Sequence, residues 1–337
     1  MSMLNSADTY TASEMTDAVI KLPLAPLRYS GLFEEKGVST TTVALEIKQG
    51  KIILVSDQPR GAEPEYLAGR GEKRNTKLLS CTHLPQTDVV TPEDLQDKRA
   101  FGTTALTGPV TVINDKLSAL KRNVEMTREF HRLGAIKGIV YDADGTTVLH
   151  NIFKTFGVQQ KKETITFPAT APENSNPIMA AILSAKRKAE AAMGGNPINR
   201  FEAVIGSSFY DMLTGHALVR KYFEDWLARK QDFGDNDYRK TGFTYAGITF
   251  YEASEVVGGR KLVDDDKGHV YPVGPGIYKT YNAPADWMET VNTIGLPFYA
   301  RMDPRQRGRG FDIEVQANPL TLCLFPEALV ELTATAA

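Results

Sequence analysis

The sequence predicts an α+β protein of about two domains, and three observations carry this prediction. The first is a helical pattern from Thr111 to Leu133 that contains neither proline nor glycine. The second is a β-hairpin pattern that follows it directly, around Asp144-Gly145. The third is the proline-rich stretch 168–177, after which helix and strand patterns alternate. We therefore predict one domain built on a long helix with a hairpin, and a second domain of α/β character.

The predicted long helix has a cap residue at each end. Thr111 follows the breaker pair Gly108-Pro109 and is placed as the N-cap, and Gly134 is placed as the C-cap. The helix would be roughly 34 Å long, about twice the average. Two opposite faces are apolar: Ile113, Leu117, Leu120 and Val124 on one, and Val112, Ala119, Met126, Phe130 and Leu133 on the other. The remaining arc is charged and predicts a solvated or salt-bridged face: Lys121, Arg122, Glu125, Arg128, Glu129 and Arg132.

Extended segments flank this helix on both sides. After it, Ile136–Ala143 and Thr146–Thr155 are predicted as the two strands of the hairpin. Before it, Thr41–Glu46 and Lys51–Ser56 are predicted as a second hairpin. The charged, glycine-containing segment 57–76 is too long for an ordinary connection, and it indicates a projecting arm. A long helix between two projecting arms favours contacts with neighbouring molecules over catalysis.

The other predicted elements are short. Helices are predicted for Asp8–Ile20, Pro92–Phe101 (or a linker), Ile178–Met193, Ser207 or Ser208 to about Leu213, Ala217–Lys230 and Ala285–Val291. Strands are predicted for Lys77–His83, Glu163–Phe167, Phe201–Ile205, Phe243–Tyr251, Val270–Val273, Gly276–Tyr281, Phe298–Met302, Phe311–Gln316 and Leu320–Phe325.

Composition excludes several classes of protein. The formal net charge of −2 predicts no overall attraction to nucleic acid or to an anionic membrane. The two cysteines, Cys81 and Cys323, lie far apart and have no metal or redox spacing, which favours a reducing compartment without a disulfide. We find neither a signal-peptide pattern nor a run of apolar residues long enough for a transmembrane helix.

No motif predicts a catalytic, cofactor-binding or metal site. Ser207 and Ser208 follow Gly206 at a strand end, but the second glycine of a nucleophile elbow is missing, so a helix-capping serine is the favoured interpretation. The acidic run Asp264–Asp266 cannot direct three consecutive side chains at one ion from regular structure. The five histidines are scattered without ligand spacing. A hydrolase with an unrecognised serine site stays open as an alternative.

One local basic cluster stands out in the sequence. Arg305, Arg307 and Arg309 occupy alternate positions and would share a face if the loop were extended. A solvated loop is the default interpretation. The alternative is a contact with DNA phosphates or with the carboxylates of a neighbouring molecule.

Over about 300 residues the sequence resembles the major capsid proteins of lambda-like tailed bacteriophages, the major capsid protein E family. The resemblance rests on the order and spacing of several pieces: 27–33 (LRYSGLF) with 40–54, His83-Leu-Pro85 with Asp88 and 92–94 (PED), 134–138 (GAIKG) with the Asp-Gly hairpin, 310–319 (GFDIEVQANP) and 326–330 (PEALV). No single piece is specific by itself.

The resemblance implies the Hong Kong ninety-seven capsid fold, which divides the chain into named regions. They are an N-terminal arm (1–36), an extended loop (56–83), a peripheral domain (37–55 and 84–167) with a spine helix (111–133) and a long hairpin (136–155), an axial domain (168–300), and return strands to the peripheral domain (301–337). Four basic residues of the extended loop would pair with carboxylates of the adjacent subunit: Arg60, Arg70, Lys73 and Arg74. The charged arc of the spine helix would face the shell interior or a neighbour.

The resemblance also implies a function and partners. The protein would assemble with itself into pentamers and hexamers of an icosahedral shell around double-stranded DNA, in the virion capsid, after assembly in the host cytoplasm. Its further partners would be a portal, a scaffold and a decoration protein, and it would touch the packaged DNA without sequence specificity. No cofactor, membrane contact or covalent cross-link is expected. The alternative within this fold is an encapsulin-like nanocompartment shell that encloses a cargo enzyme.

Overall fold

The computed structural model describes residues 11–23, 27–47, 75–94, 96, 109–170, 175–229, 237–253, 256–257 and 260–336. The chain divides into two compact units, each assembled from three separate segments. Unit 1 comprises 1–44, 78–132 and 279–321, and unit 2 comprises 45–77, 133–278 and 322–337, with the undescribed residues inside these ranges left aside. None of the described helices combines the length and the hydropathy needed to cross a membrane.

The described residues contain these helices, in chain order: α1 (Ala12–Lys21), α2 (Pro109–Lys137), α3 (Ile152–Phe156), α4 (Pro177–Met193), α5 (Ser207–Gly215), α6 (Ala217–Arg229) and α7 (Tyr238–Thr241). The strands are β1 (Glu34–Gly37), β2 (Thr42–Ile47), β3 (Asn75–Ser80), β4 (Leu84–Val90), β5 (Ile139–Tyr141), β6 (Val148–Asn151), β7 (Lys161–Phe167), β8 (Arg200–Ile205), β9 (Phe243–Tyr245), β10 (Ile248–Glu252), β11 (Val256–Val257), β12 (Arg260–Lys261), β13 (Lys267–Val273), β14 (Tyr278–Asn282), β15 (Tyr299–Pro304), β16 (Phe311–Ala317), β17 (Pro319–Cys323) and β18 (Val330–Ala336).

Unit 1 packs two helices on a three-stranded antiparallel sheet of order β15-β16-β4. Its core combines Met15 and Val19 of α1, Ile113 and Leu117 of α2, and apolar residues of the sheet such as Val315. The hydroxyl of Thr16 makes hydrogen bonds with the backbone of Ala300, which fixes α1 on β15. Apolar residues at helical spacing on α1 and α2 therefore form one shared core with the sheet.

Unit 2 is built on a six-stranded mixed sheet of order β7-β18-β13-β8-β10-β9. The pairs β18–β7 and β10–β8 are parallel, and the other pairs are antiparallel. Ile178, Ile182, Ala185 and Ala189 of α4 are fully buried in its core, together with β8 and β13 residues. Their spacing of three to four residues presents one continuous apolar stripe to the sheet. The helix and strand predictions for Ile178–Met193, Phe201–Ile205 and Glu163–Phe167 are confirmed.

The long helix is confirmed, but both of its predicted ends are wrong. It begins at Pro109, because proline suits the first helical position, and it continues through Gly134 to Lys137. A Cβ atom on Gly134 would lie 2.9 Å from the carbonyl oxygen of Ile139, so this glycine permits the close return of the chain. Gly138, with φ of 87°, follows the helix where the left-handed conformation is needed.

The predicted apolar faces of α2 differ in their environment. Ile113, Leu117, Leu120 and Val124 are all buried, as predicted. The opposite face is mixed: Leu133 is buried, Met126 is exposed, and Val112, Ala119 and Phe130 are half-buried.

The hairpin around Asp144-Gly145 is confirmed in position but has much shorter strands than predicted. Strand β5 pairs antiparallel with β6, and the Asp144 carboxylate accepts hydrogen bonds from the backbone and hydroxyl groups of Thr146 and Thr147. The second strand ends at Asn151, whose side chain accepts a hydrogen bond from the backbone of Lys154 and so caps α3. Residues 152–156 are therefore helical, and the predicted long strand to Thr155 is wrong.

Several other elements differ from the predictions. The single strand predicted for 243–251 is a hairpin, β9 and β10, whose turn places Ala246 and Gly247 at φ of 50° and 77°. The helix predicted for 285–291 is only a 3-10 turn at Met288–Thr290. Five described strands were not predicted: β1, β4, β11, β12 and β18. The strand predicted at 41–46 is present as β2, which pairs with β3, whereas 51–56 lies outside the described residues.

Candidate functional site

The most distinctive charged feature is a buried ion network in unit 1, which we call the α2 network. It consists of Glu35, Glu125, Arg128, Glu129 and Arg132. The Arg132 guanidinium lies 2.7 Å from Glu125 and 3.1 Å from Glu129, and that of Arg128 lies 2.9 Å from Glu125 and 2.6 Å from Glu35. The side chains of Arg128 and Arg132 are only 3% and 2% exposed. Four members recur at spacings of three or four residues, which places them on one side of the helix.

Burial changes the proton affinities in this network. Removal of the Glu129 carboxyl from water raises its pKa, although the backbone N–H of Tyr29 and the charge of Arg132 act in the opposite direction. Burial would lower the pKa of Arg132, but the charges and hydrogen bonds of Glu125 and Glu129 outweigh it, and the net shift is upward. With three carboxylates and two guanidinium groups, the network has a formal excess of one negative charge when all five members are ionised.

The α2 network connects segments that are distant in sequence. The backbone N–H of Tyr29 donates to Glu129 at 2.6 Å, and the side-chain amide of Asn282 donates to Glu35 at 3.2 Å. Lys121 on the same helix donates to the carbonyl oxygens of Ile20 and Leu22, at the C-terminal end of α1. These contacts hold the end of α1, Tyr29 and Glu35 on α2, and they give the charged residues a structural role.

The prediction that the charged arc of α2 is a solvated or salt-bridged face is confirmed in its second alternative. It is salt-bridged, but it is not solvated: of the six residues only Arg122 is exposed. A position facing the shell interior or a neighbour is thus wrong for the five buried members. The involvement of Glu35 and Tyr29 was not predictable from local sequence patterns, because their partners lie about a hundred residues away.

The basic cluster lies on an exposed turn of unit 1, between β15 and β16. Arg305 forms an ion pair with Asp312 at 3.0 Å. For Arg307 and Arg309, no ion-pair partner within 4.0 Å occurs among the described residues. The turn is not extended, because Arg307 adopts φ of 63° inside a 3-10 turn, so the three side chains do not form the alternating face that an extended loop would give. The predicted contact residues of the extended loop, Arg60, Arg70, Lys73 and Arg74, lie outside the described residues.

The serine considered as a nucleophile is held in a polar cluster of unit 2. Ser207 is the first residue of α5 rather than its cap, since Gly206 takes the N-cap position. The Ser207 hydroxyl donates to Asp265 at 2.8 Å, and Lys261 binds the same carboxylate at 2.6 Å. Both contacts lower the pKa of Asp265. No histidine contacts the serine among the hydrogen bonds of the described residues, so the arrangement lacks the base that activates a serine.

Other candidate ligands are used structurally. Among the residues that the structure describes, no three His, Cys, Asp or Glu side chains come together as a metal site. Asp264 pairs with Lys267, and Cys81 and Cys323 are both free thiols. Burial raises the pKa of the Cys81 thiol to about 11 and that of Cys323 to about 12, which leaves both thiols protonated at neutral pH.

Comparison with known proteins identifies the family. The family model described as phage major capsid protein E matches residues 11–334. The chain is 23% identical to the major capsid protein of Pseudomonas phage KPP10, over 96% of this chain and 97% of that protein. It is 26% identical to the major capsid protein of Salmonella phage Felix O1, over 91% of this chain and 90% of that protein.

Comparison with solved structures identifies the fold. A crystal structure described as that of a prophage capsid protein (E. coli CFT073) superposes with a TM-score of 0.52 at 12% identity, covering 94% of this chain and 95% of that one. The predicted α+β class and the Hong Kong ninety-seven-type fold are therefore confirmed.

The protein is a structural component of a viral shell. More specifically, the chain belongs to the phage major capsid protein E family, because the family model spans nearly its whole length. Its function is that of the major capsid protein of a phage, which associates with its own copies to form the shell. The resemblance inferred from the sequence is confirmed at the level of this family.

Proposed function

We propose that this protein assembles into pentamers and hexamers of an icosahedral shell that encloses double-stranded phage DNA. The observation that carries the proposal is the match to the capsid family from residue 11 to residue 334, which spans nearly the whole chain. A shell of this kind needs many interfaces that are individually weak and collectively strong, since subunits must correct their positions before they lock. The protein acts without enzymatic chemistry.

In this shell the chain has the regions that the resemblance implies. Residues 1–36 serve as the N-terminal arm, 56–83 as the extended loop, 37–55 and 84–167 as the peripheral domain, 168–300 as the axial domain and 301–337 as the return strands. Helix α2 is the spine helix, and its length and the buried face from Ile113 to Val124 support this assignment.

The contacts of the shell are electrostatic in part. The extended loop lies over the adjacent subunit, and Arg60, Arg70, Lys73 and Arg74 pair with its carboxylates. The exposed turn with Arg305, Arg307 and Arg309 contacts a neighbouring subunit or the DNA phosphates. Because the formal net charge is −2, attraction to DNA is local and independent of sequence. A portal, a scaffold and a decoration protein are the further partners, and assembly takes place in the host cytoplasm.

Assembly of the purified protein tests the proposal. We expect capsomers or closed shells by electron microscopy and sedimentation when the protein is concentrated. A monodisperse monomer at high concentration in every buffer would contradict the proposal. Deletion of 61–74 tests the extended loop: the subunit should keep its circular dichroism spectrum and its Tm but lose stable shells. Intact shells from the deletion variant would refute that assignment.

A further inference from the structure

Unit 1 exposes a short apolar surface that the contacts described so far do not use. It lies on the loop 286–296, where Met288, Val291 and Ile294 are 89%, 59% and 71% exposed. Asp286 and Glu289, whose side chains are 63% and 59% exposed, lie on the same loop. Large apolar side chains are rarely grouped in solvent without a partner, and an apolar centre with a charged rim is the composition of a protein interface.

The loop is held in place by its own hydrogen bonds. The backbone N–H of Thr290 donates to the carbonyl oxygen of Trp287, and that of Thr293 donates to Thr290, so two consecutive turns carry the exposed residues. The Thr290 hydroxyl donates to Ala285, and the N–H of Gly295 donates to Val38. Such a surface loses little conformational entropy when it is covered.

The base of the loop is a small apolar cluster. Trp287 and Tyr299 are buried and meet edge to face at 6.1 Å, with Ala285 beside them. The Arg301 guanidinium lies 6.0 Å from the Trp287 ring and 3.6 Å from the Glu289 carboxylate. The inward side chains thus have partners within unit 1, whereas Met288, Val291 and Ile294 are mostly exposed to solvent.

Positive charge that complements Asp286 and Glu289 lies on the basic turn, at the far end of the hairpin formed by β15 and β16. Strands β15 and β16 pair from Tyr299 and Gln316, next to the apolar loop, to Pro304 and Phe311, next to the basic turn. Arg307 and Arg309 are exposed on that turn. The charge of Arg305 is neutralised by its ion pair with Asp312. The backbone of Arg307 is left-handed, at φ of 63°, an uncommon conformation for a non-glycine residue.

This arrangement excludes a contact within one subunit. Six residues of strand separate the two ends, roughly 17 Å at the usual rise per residue. Two complementary surfaces at opposite ends of one hairpin can meet only between different copies of the chain. Such a head-to-tail contact is heterologous, and heterologous contacts close into rings when the rotation between subunits allows it.

We propose that the loop with Met288, Val291 and Ile294 of one subunit receives the basic turn with Arg307 and Arg309 of a second copy. In this contact Glu289 pairs with a guanidinium of the neighbour, and the aliphatic part of the arginine side chains covers the apolar side chains. The inference rests on the proposed function, since it assigns one of the interfaces that the shell requires.

Site-specific cross-linking tests the contact directly. Met288→Cys and Arg309→Cys are introduced into separate copies in a Cys81→Ser background, mixed, assembled and treated with a short bismaleimide. We expect a cross-linked dimer from the mixture, and none from either protein alone. The matched control replaces Met288→Cys by Val148→Cys, which lies on an exposed hairpin of unit 2 and should give no dimer with Arg309→Cys. Assembled particles without a cross-link between Met288→Cys and Arg309→Cys would overturn the inference.

A charge exchange provides a second test that does not depend on cysteine. Arg307→Glu with Arg309→Glu should reduce particle yield at least about tenfold, because the loss is repeated at every copy of the interface. Addition of Glu289→Lys to that variant should restore part of the yield, while the Tm of the unassembled subunit stays unchanged. Unchanged yield, or no recovery on adding Glu289→Lys, would contradict the inference. If the wild type forms no particles at all, the proposed function itself fails.

Discussion

The two units reach stability by different means. Unit 2 has a large apolar core, in which α4 packs on a six-stranded sheet. Unit 1 contains two arginines and three glutamates in the α2 network, and four of these five residues are buried. Its apolar core is the smaller of the two clusters. Charged side chains at short, hydrogen-bonded distances specify which segments meet, whereas apolar packing supplies most of the free energy of folding.

The difference suits a protein that must be both stable and adjustable. A buried ion network has directional contacts, so Tyr29 and Glu35 are each held at one position on α2. Apolar contacts in unit 2 carry no such directional requirement. Unit 1 should therefore be the part of the molecule that is most sensitive to the loss of a single charged group.

The largest expected effect comes from breaking the α2 network. Arg132→Met leaves the buried carboxylates of Glu125 and Glu129 without their main cation, and we expect the free energy of unfolding to fall by about 3–5 kcal/mol. Urea denaturation, together with hydrogen exchange of the unit 1 amides, measures this change. Arg122→Met on the exposed side of the same helix is the control and should change stability by less than about 0.5 kcal/mol.

A double variant separates two explanations of that loss. If the cost arises from unpaired buried carboxylates, Glu125→Leu combined with Arg132→Met should recover part of the stability. If the changes in the free energy of unfolding caused by the two substitutions simply add, attraction between the charges of the network does not explain the loss of stability.

The next effect concerns the one histidine buried in the sheet of unit 2. Burial is the main cause that lowers the pKa of His269 from 6.5 to about 3, and the charges of Lys137, Lys267 and Lys162 contribute to the same shift. Because the folded-state pKa lies below the unfolded value, the unfolded chain binds the proton first as the pH falls. Stability is therefore present above the unfolded pKa and is lost progressively between about pH 6.5 and pH 3.

The substitution His269→Gln removes this dependence. Between pH 7 and pH 5 the wild type should lose about 2 kcal/mol more than the variant, a difference that denaturant titrations at both pH values can measure. An identical pH dependence in the two proteins would show that His269 keeps its ordinary proton affinity. Since this loss belongs to unit 2, hydrogen exchange should locate it there and not in the α2 network.

The smallest effect concerns two helical glycines. A Cβ atom at Gly134 would lie 2.9 Å from backbone atoms of Ile139 and Val140, so Gly134→Ala should destabilise the protein by about 1–2 kcal/mol despite the better helix propensity of alanine. At Gly215, the last residue of α5, a Cβ atom meets nothing within 4 Å. Gly215→Ala should therefore be neutral or stabilise by up to about 1 kcal/mol. Equal changes in Tm for both variants would contradict the close approach at Gly134.

These glycines also show what can be predicted from the sequence. Local patterns predicted α2 and α4 correctly because their apolar residues repeat with the helical period. Gly134 was assigned to the helix end because glycine is the usual C-cap residue. Its role as the contact point for the returning chain depends on the tertiary fold, and Gly138, four residues later, follows the helix instead.

The candidate surfaces were predictable to different degrees. The basic turn is visible as three alternating arginines, although its left-handed Arg307 is not. The burial of Arg128 and Arg132 was not predictable, because Glu35 lies more than ninety residues away in the chain. The segment 285–291 of the apolar loop is predicted as a short helix. Only the hydrogen bonds of Thr290 and Thr293 show that the segment is a pair of turns.

The order of strands in unit 2 has a consequence for synthesis of the protein. Strand β18 lies between β7 and β13, parallel to the first and antiparallel to the second. Until residue 336 has left the ribosome, both neighbours present unpaired backbone edges, and the sheet of unit 2 cannot close. This sheet can therefore be completed only after β18 has been translated. A nascent chain would reach an assembly-competent conformation only after that point, which separates folding of the subunit from growth of the shell in time.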